Sequence, residues 1–88
     1  MSDKAPKLFL EELLMTPSPT GYEKPGVVVW KNYVDQFADK VMTDAYGSCA
    51  AKIETSNDVA TVLLEAHSDE IGMVVQHITE QGFIYINK

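Results

Sequence analysis

The sequence predicts a small α+β domain in which two helices precede about five strands. Apolar residues recur at three- and four-residue spacing in the first 38 positions, as on one face of a helix, and at strand-like spacing after them. Clusters of Gly, Asn, Asp and Ser separate the strand-like segments. The 88 residues suffice for one domain, and 45% hydrophobic with 23% charged residues is an ordinary globular composition.

Both helices are expected in the N-terminal half. The first covers about Pro6–Met15, with the proline in a first turn where its missing N–H costs nothing. Two prolines and a glycine in Thr16–Gly21 then end the helical pattern. The second helix covers about Tyr22–Ala38, and Pro25-Gly26 leave its start open by several residues. Its predicted core face consists of Val27, Trp30, Tyr33, Val34 and Phe37.

Five short segments predict strands. They are Lys40–Thr43, Ser48–Glu54, Val59–Ala66, Met73–Thr79 and Phe83–Asn87. The first three form a meander, with turns at Asp44–Gly47 and Thr55–Asp58. The last two form a hairpin in which Gly82 occupies the position that needs unusual dihedral angles.

The net charge bears on the class of partner, and the cysteine content bears on the compartment. Seven basic and 13 acidic residues give a net charge of −6, which disfavours nucleic acid and anionic membranes because both attract clustered Lys and Arg. Cys49 is the only cysteine, so no intrachain disulfide is possible and a reducing compartment is expected. No apolar run approaches transmembrane length. We therefore expect a soluble cytoplasmic protein.

The strongest candidate for a functional site is the cluster of ionisable side chains in His67-Ser68-Asp69-Glu70, which follows the apolar run Thr61–Leu64. That run is typical of a strand covered on both faces, and ligands often bind just outside the carboxyl ends of such strands. A metal site is one interpretation, with an imidazole ligand and a carboxylate that ligates or orients it. A polar strand exit is the other, and the spacing alone favours it because His-x-Asp is short.

The supply of ligands limits the metal interpretation. A catalytic zinc-type site needs about three protein ligands and an open position. Only His67, His77 and Cys49 offer nitrogen or sulfur, and His77 lies too far along an extended strand to converge with His67. Cys49 is interpreted as a small buried hydrophobe, and Asp44 as a turn residue that bonds its own backbone. A metal site therefore requires ligands from elsewhere.

Three segments, in this order, resemble the N-terminal part of metallopeptidase family 42. They are Ser18–Glu23 (Ser-Pro-Thr-Gly-Tyr-Glu), Thr43–Ser48 (Thr-Asp-Ala-Tyr-Gly-Ser) and Ala66–Val75 (Ala-His-Ser-Asp-Glu-Ile-Gly-Met-Val-Val), and the hairpin His77–Phe83 continues the match. The family includes glutamyl, deblocking and tetrahedral aminopeptidases and relatives once labelled endoglucanases. The resemblance spans nearly all of the chain.

The resemblance implies a fold and a site. Residues 1–72 would be the N-terminal part of the α/β catalytic domain of a dinuclear-metal exopeptidase, and residues 73–88 would open an inserted β-rich dimerisation domain. His67 would ligate one of two divalent metal ions, usually zinc or cobalt. Asp69 would support that ligand and counts as catalytic, while the other ligands would lie beyond Lys88. Peptides would be the substrates, and the assembly would be a homo-oligomer from dimer to dodecamer.

The leading hypothesis is thus the N-terminal fragment of a metalloaminopeptidase, inactive alone because it holds one expected ligand. An alternative is a complete small interaction domain in which His67 and Asp69 are turn residues. A third is a relative that hydrolyses another amide or a glycoside.

Overall fold

The computed structural model describes residues 4–57 and 59–87 and contains two helices followed by two separate antiparallel hairpins. Helix α1 is Lys4–Met15 and helix α2 is Lys24–Val34. The strands are β1 (Lys40–Thr43), β2 (Cys49–Lys52), β3 (Val74–Ile78) and β4 (Ile84–Asn87). Asp58, in a predicted turn, and Lys88, at the end of the predicted second domain, lie outside the described residues.

The two predicted helices are confirmed and pack through aromatic rings. Phe9 of α1 stacks on Tyr33 of α2, with ring centroids 4.0 Å apart and an interplanar angle of 3°. The Phe37 ring lies edge-on to Tyr33, with ring centroids 5.6 Å apart. Over the described ranges, only Ser18, Gly26 and Val34 are buried, so the core is small and lies beside α2. Neither helix in the described ranges has the length and apolar character needed to cross a membrane.

The structure explains why proline and glycine occur at positions 25 and 26, at the start of α2. Pro25 lies in the first helical turn, where no intrahelical partner exists for its missing N–H. Gly26 faces Ser18 so closely that a Cβ at position 26 would overlap the Ser18 hydroxyl and lie 3.1 Å from the Ser18 Cβ. The glycine therefore lets the loop between the helices pass close to α2. The helix ends at Val34, four residues before the predicted end, and a turn follows.

Both hairpins follow the predicted pairing. In the first, Lys40 pairs with Lys52 and Thr43 with Cys49, and Gly47 adopts a φ of 89° in the turn. In the second, the strands pair antiparallel with one irregularity between Val75 and His77. Gly82 has a φ of 88°, a conformation that favours glycine, as the sequence predicts.

The predicted third strand, Val59–Ala66, is wrong. Residues 59–69 form no strand, and Val62, Leu63 and Leu64 are 82%, 78% and 91% exposed rather than covered on both faces. A strand forms only where a neighbour satisfies its backbone groups. In the described ranges β1 pairs with β2 and β3 with β4, so this segment has no partner. His67 consequently follows an extended exposed segment instead of a sheet strand.

Candidate metal-ligand site

The loop between the two helices holds the segment that contains His67 and Asp69. Pro19 and Glu70 form an isolated parallel β-bridge. The Ser18 N–H donates to Oε1 of Glu70, the Glu70 N–H donates to the Ser18 carbonyl, and the Thr20 N–H donates to the Glu70 carbonyl, each at 3.0 Å. We call residues 18–20 and 70, joined by these bonds, the loop clamp. It joins the first and third of the family-like segments.

Helix α2 anchors the loop clamp. The Ser18 hydroxyl donates to the Glu23 carbonyl at 3.2 Å, and Ser18 lies against Gly26. The Glu23 side chain accepts a hydrogen bond from the Gly21 N–H. At the other end, Gly72 lies against Pro19, where a Cβ on Gly72 would overlap the Pro19 ring. The position of residues 69–72 is therefore fixed relative to the start of α2.

Within this frame His67 and Asp69 form a hydrogen-bonded pair. Nδ1 of His67 lies 2.9 Å from Oδ1 of Asp69 and 2.9 Å from the Asp69 backbone carbonyl. A carbonyl and an ionised carboxylate can only accept hydrogen bonds, so both contacts require a proton on Nδ1 of the ring. In the neutral ring, Nε2 then carries the lone pair, and it has no hydrogen-bond partner in the described ranges. The side chain is 85% exposed, so this nitrogen is accessible to a ligand.

The carboxylate of Asp69 is held on both oxygens. Oδ1 accepts a hydrogen bond from Nδ1 of His67, and Oδ2 accepts one from the hydroxyl of Thr20 at 2.7 Å. The Thr20 hydrogen bond, followed by the bond and charge of His67, lowers the pKa of Asp69 below its ordinary value. The group is therefore ionised at neutral pH, which is the state that accepts a hydrogen bond from the Nδ1–H group.

The other residues considered from the sequence lie elsewhere. His77 is on β3 beside Tyr85, and Cys49 is a free cysteine at the start of β2. Residues 4–57 and 59–87 contain no group of three His, Cys, Asp or Glu side chains that could hold a metal ion. Asp44 accepts the N–H groups of Tyr46 and Ser48, both at 2.9 Å, which supports its interpretation as a turn residue.

The part of the chain that contains His67 and Asp69 matches a peptidase family. The profile of the M42 glutamyl aminopeptidase family matches residues 47–88. The resemblance to metallopeptidase family 42 is confirmed. A lysyl aminopeptidase from Pyrococcus furiosus is 30% identical over 81 residues, which cover 89% of this chain and 22% of that protein. The chain thus spans about a fifth of the length of this relative. No solved structure matches the chain significantly.

The segment that contains His67 and Asp69 could supply one corner of a divalent metal site. An imidazole whose Nδ1–H is bonded to a carboxylate is a common arrangement for a metal ligand, because the bond fixes the tautomer and the ring orientation. His67 and Asp69 have this arrangement. Two helices and two small antiparallel sheets are compatible with a fragment of such an enzyme.

Thr20 is the residue of this site that sequence reasoning missed. Pro and Gly were sufficient to explain Ser18–Glu23 as a helix connector, and nothing in the local pattern indicated a contact with Asp69. The available signal was the presence of this connector in the same family pattern as His67 and Asp69. A shared family pattern is a reason to expect spatial proximity, which the contact of Thr20 with Asp69 shows.

Proposed function

We propose that this chain is the N-terminal part of a metal-dependent aminopeptidase that removes N-terminal residues from peptides. The family 42 match and the similarity to a lysyl aminopeptidase support peptide hydrolysis. The observation that carries the metal assignment is the pair formed by His67 and Asp69, in which Nδ1 is bonded and Nε2 is left accessible.

His67 is proposed as the ligand of one of two divalent ions, zinc or cobalt. Its Nε2 is the atom available for coordination, since Nδ1 carries a proton and donates a hydrogen bond to Asp69. The chemistry that two such ions supply when bound is activation of water and polarisation of the scissile carbonyl. The remaining ligands would come from outside the described residues.

Asp69 is proposed to act through His67. The resemblance counts it as catalytic, and the geometry favours a positioning role because Oδ1 and Oδ2 are both occupied by hydrogen bonds within the chain. As a hydrogen-bonded partner it fixes the ring and increases the basicity of the ligating nitrogen.

The organisation of the whole protein is part of the same proposal. Residues 1–72 would belong to the catalytic domain and residues 73–88 to the inserted β-rich domain. The β3–β4 hairpin forms its own sheet, separate from β1–β2, which supports a boundary near Gly72. A cytoplasmic homo-oligomer that acts on peptides completes the proposal, and the 88-residue chain alone is expected to be inactive.

The two histidines of the chain provide a matched test. The whole open reading frame that contains these residues is expressed, loaded with zinc or cobalt, and assayed with aminoacyl nitroanilides. We expect His67→Ala to lower kcat/KM by at least 100-fold, and His77→Ala, which alters the hairpin, to have little effect. Absence of turnover by the unsubstituted protein with either metal, or full activity of His67→Ala, would overturn the proposal.

A second candidate is a non-enzymatic interaction domain. It is favoured by one observation, the exposure of Val62, Leu63 and Leu64 at 78–91%, because contiguous exposed apolar residues often mark contact surfaces. In that case His67→Ala would leave every function of the whole protein unchanged, while Leu64→Lys would weaken its association with a partner. The two variants therefore separate the candidates.

A further inference from the structure

We infer that Thr20 is a positioning residue for the His67–Asp69 pair. Its hydroxyl holds the Asp69 carboxylate in the orientation that keeps the proton of His67 on Nδ1 and the lone pair on Nε2. The identity of His67 as a metal ligand rests on the proposed function, whereas the action of Thr20 on the ring rests on the geometry alone.

The hydroxyl of Thr20 has one proton and two acceptors nearby. Oδ2 of Asp69 lies at 2.7 Å, an ordinary length for an O–H···O hydrogen bond, whereas the Glu70 carbonyl lies at 3.3 Å. The hydroxyl can donate only once, so the shorter contact defines its direction. Thr20 and His67 thereby occupy different oxygens of one carboxylate, and the three groups form a continuous chain of hydrogen bonds.

The backbone of Thr20 is fixed independently of its hydroxyl. Its N–H donates to the Glu70 carbonyl at 3.0 Å, next to the parallel bridge between Pro19 and Glu70. The loop clamp therefore places the Thr20 side chain beside Asp69 before any side-chain bond is made. Even an exposed ion pair is worth little by itself, and the His67 side chain is 85% exposed. A second, fixed donor on the same carboxylate is what confines its orientation.

A purely structural role for the hydroxyl makes a different prediction. If Thr20 only joined two loops, its loss would loosen the loop clamp and leave the tautomer of His67 unchanged. If Thr20 positions Asp69, its loss would free the carboxylate to rotate and the imidazole would return towards the tautomer it prefers in water, with the proton on Nε2. The tautomer of His67 is therefore the decisive readout.

The test uses the ¹⁵N-labelled 88-residue chain without metal, in mildly alkaline buffer where imidazole is neutral. Long-range ¹H–¹⁵N spectra report the proton position of each ring, and His77 serves as an internal reference. We expect the Nδ1–H form of His67 in the unsubstituted chain, a shift towards Nε2–H in Thr20→Val and Thr20→Ala, and retention of Nδ1–H in Thr20→Ser. Thr16→Val is the matched control, because the Thr16 hydroxyl donates to the Glu12 carbonyl at 2.6 Å, within its own segment.

Three results would overturn the inference. One is an unchanged Nδ1–H form in a folded Thr20→Val chain. Another is an equal change in Thr16→Val. The third is loss of the folded amide spectrum in both Thr20→Val and Thr20→Ala, which would make the hydroxyl a requirement of the fold. Because no metal is present, none of these results depends on whether His67 binds one.

A second measurement separates this inference from the proposed function. In the full-length protein, zinc affinity is measured by competition with a chromophoric chelator. We expect Thr20→Val to weaken the affinity about 10-fold and Thr20→Ser to restore it, as for other groups that orient a metal ligand. Unchanged zinc affinity in His67→Ala would refute the metal assignment alone, whereas a loss in His67→Ala with none in Thr20→Val would refute the role of Thr20.

Discussion

Ser18 and Glu70, 52 positions apart, are joined by two hydrogen bonds of 3.0 Å, one from the Ser18 N–H to the Glu70 side chain and one from the Glu70 N–H to the Ser18 carbonyl. Ser18 is only 5% exposed and is the one buried polar residue in the described ranges. This contact connects α2 with the segment of His67 and Asp69, since Ser18 also bonds the Glu23 carbonyl. The Glu70 carboxylate thus has a structural role. The neighbouring Asp69 carboxylate bonds His67 instead.

Removing the Glu70 carboxylate is expected to destabilise the loop clamp. Glu70→Ala leaves the N–H of buried Ser18 without its acceptor, at a cost of about 1 kcal/mol in the free energy of unfolding. Glu70→Gln keeps an accepting oxygen on a side chain of the same length, so it should lower the free energy of unfolding by less. Urea denaturation followed by the fluorescence of Trp30 measures the difference. Glu80→Ala, in the exposed turn of the second hairpin, is the control, and an equal effect there would contradict the prediction.

Gly26→Ala should be destabilising although it lies in a helix. Alanine usually stabilises a helix interior by about 1 kcal/mol relative to glycine. Here the new Cβ would overlap the Ser18 hydroxyl, so either the loop clamp or α2 must move. The measurement is the free energy of unfolding, alone and in a Ser18→Gly background that removes the obstructing side chain. We expect the sign of the effect to reverse in that background, and stabilisation by Gly26→Ala alone would contradict the contact.

Local patterns predicted most of the fold. The helical spacing of apolar residues placed α1 and α2, and the turn chemistry around Gly47 and Gly82 placed both hairpins, because each of these signals acts over a few neighbouring residues. The strand prediction for Val59–Ala66 was wrong because the deciding contact is not local. Its composition suits a strand, but a strand also needs a partner, which no local pattern specifies. In the described ranges that partner is absent.

The candidate site was predictable only in part. The sequence suggested His67 as a ligand and Asp69 as its carboxylate partner, and the structure brings Nδ1 of His67 to 2.9 Å from Oδ1 of Asp69. The contribution of Thr20 was not visible, because a contact across 49 positions depends on how the chain folds back and not on spacing. The resemblance to metallopeptidase family 42 supplied the missing connection, since both segments are part of its pattern.

Asp44 is expected to matter for stability and not for catalysis. Its Oδ1 accepts the N–H groups of Tyr46 and Ser48, so Asp44→Ala removes two bonds of the first hairpin turn and should cost about 1 kcal/mol. Asp44→Asn keeps the accepting oxygen and should be nearly neutral. Asp35→Ala, at the C-terminal end of α2, is the control and should be neutral or slightly stabilising because a carboxylate is unfavourable at that end of a helix. A large activity loss in Asp44→Asn of the whole protein, with stability unchanged, would refute this interpretation.

The titration of Asp69 should depend on Thr20. The Thr20 hydroxyl, and then His67, lower the pKa of Asp69, so Thr20→Val should raise that pKa towards its ordinary value while Thr20→Ser should not. Since the pKa is lower in the folded chain than in the unfolded chain, the ionised Asp69 stabilises the fold above the unfolded-state pKa, and this contribution is lost as the pH falls through the folded-state pKa. The difference in unfolding free energy between the unsubstituted chain and Thr20→Val should therefore shrink in acid. The ¹³C shift of the Asp69 carboxyl measures the pKa directly, and identical titration curves in the two chains, with Thr16→Val as reference, would show that the hydroxyl does not act on the carboxylate.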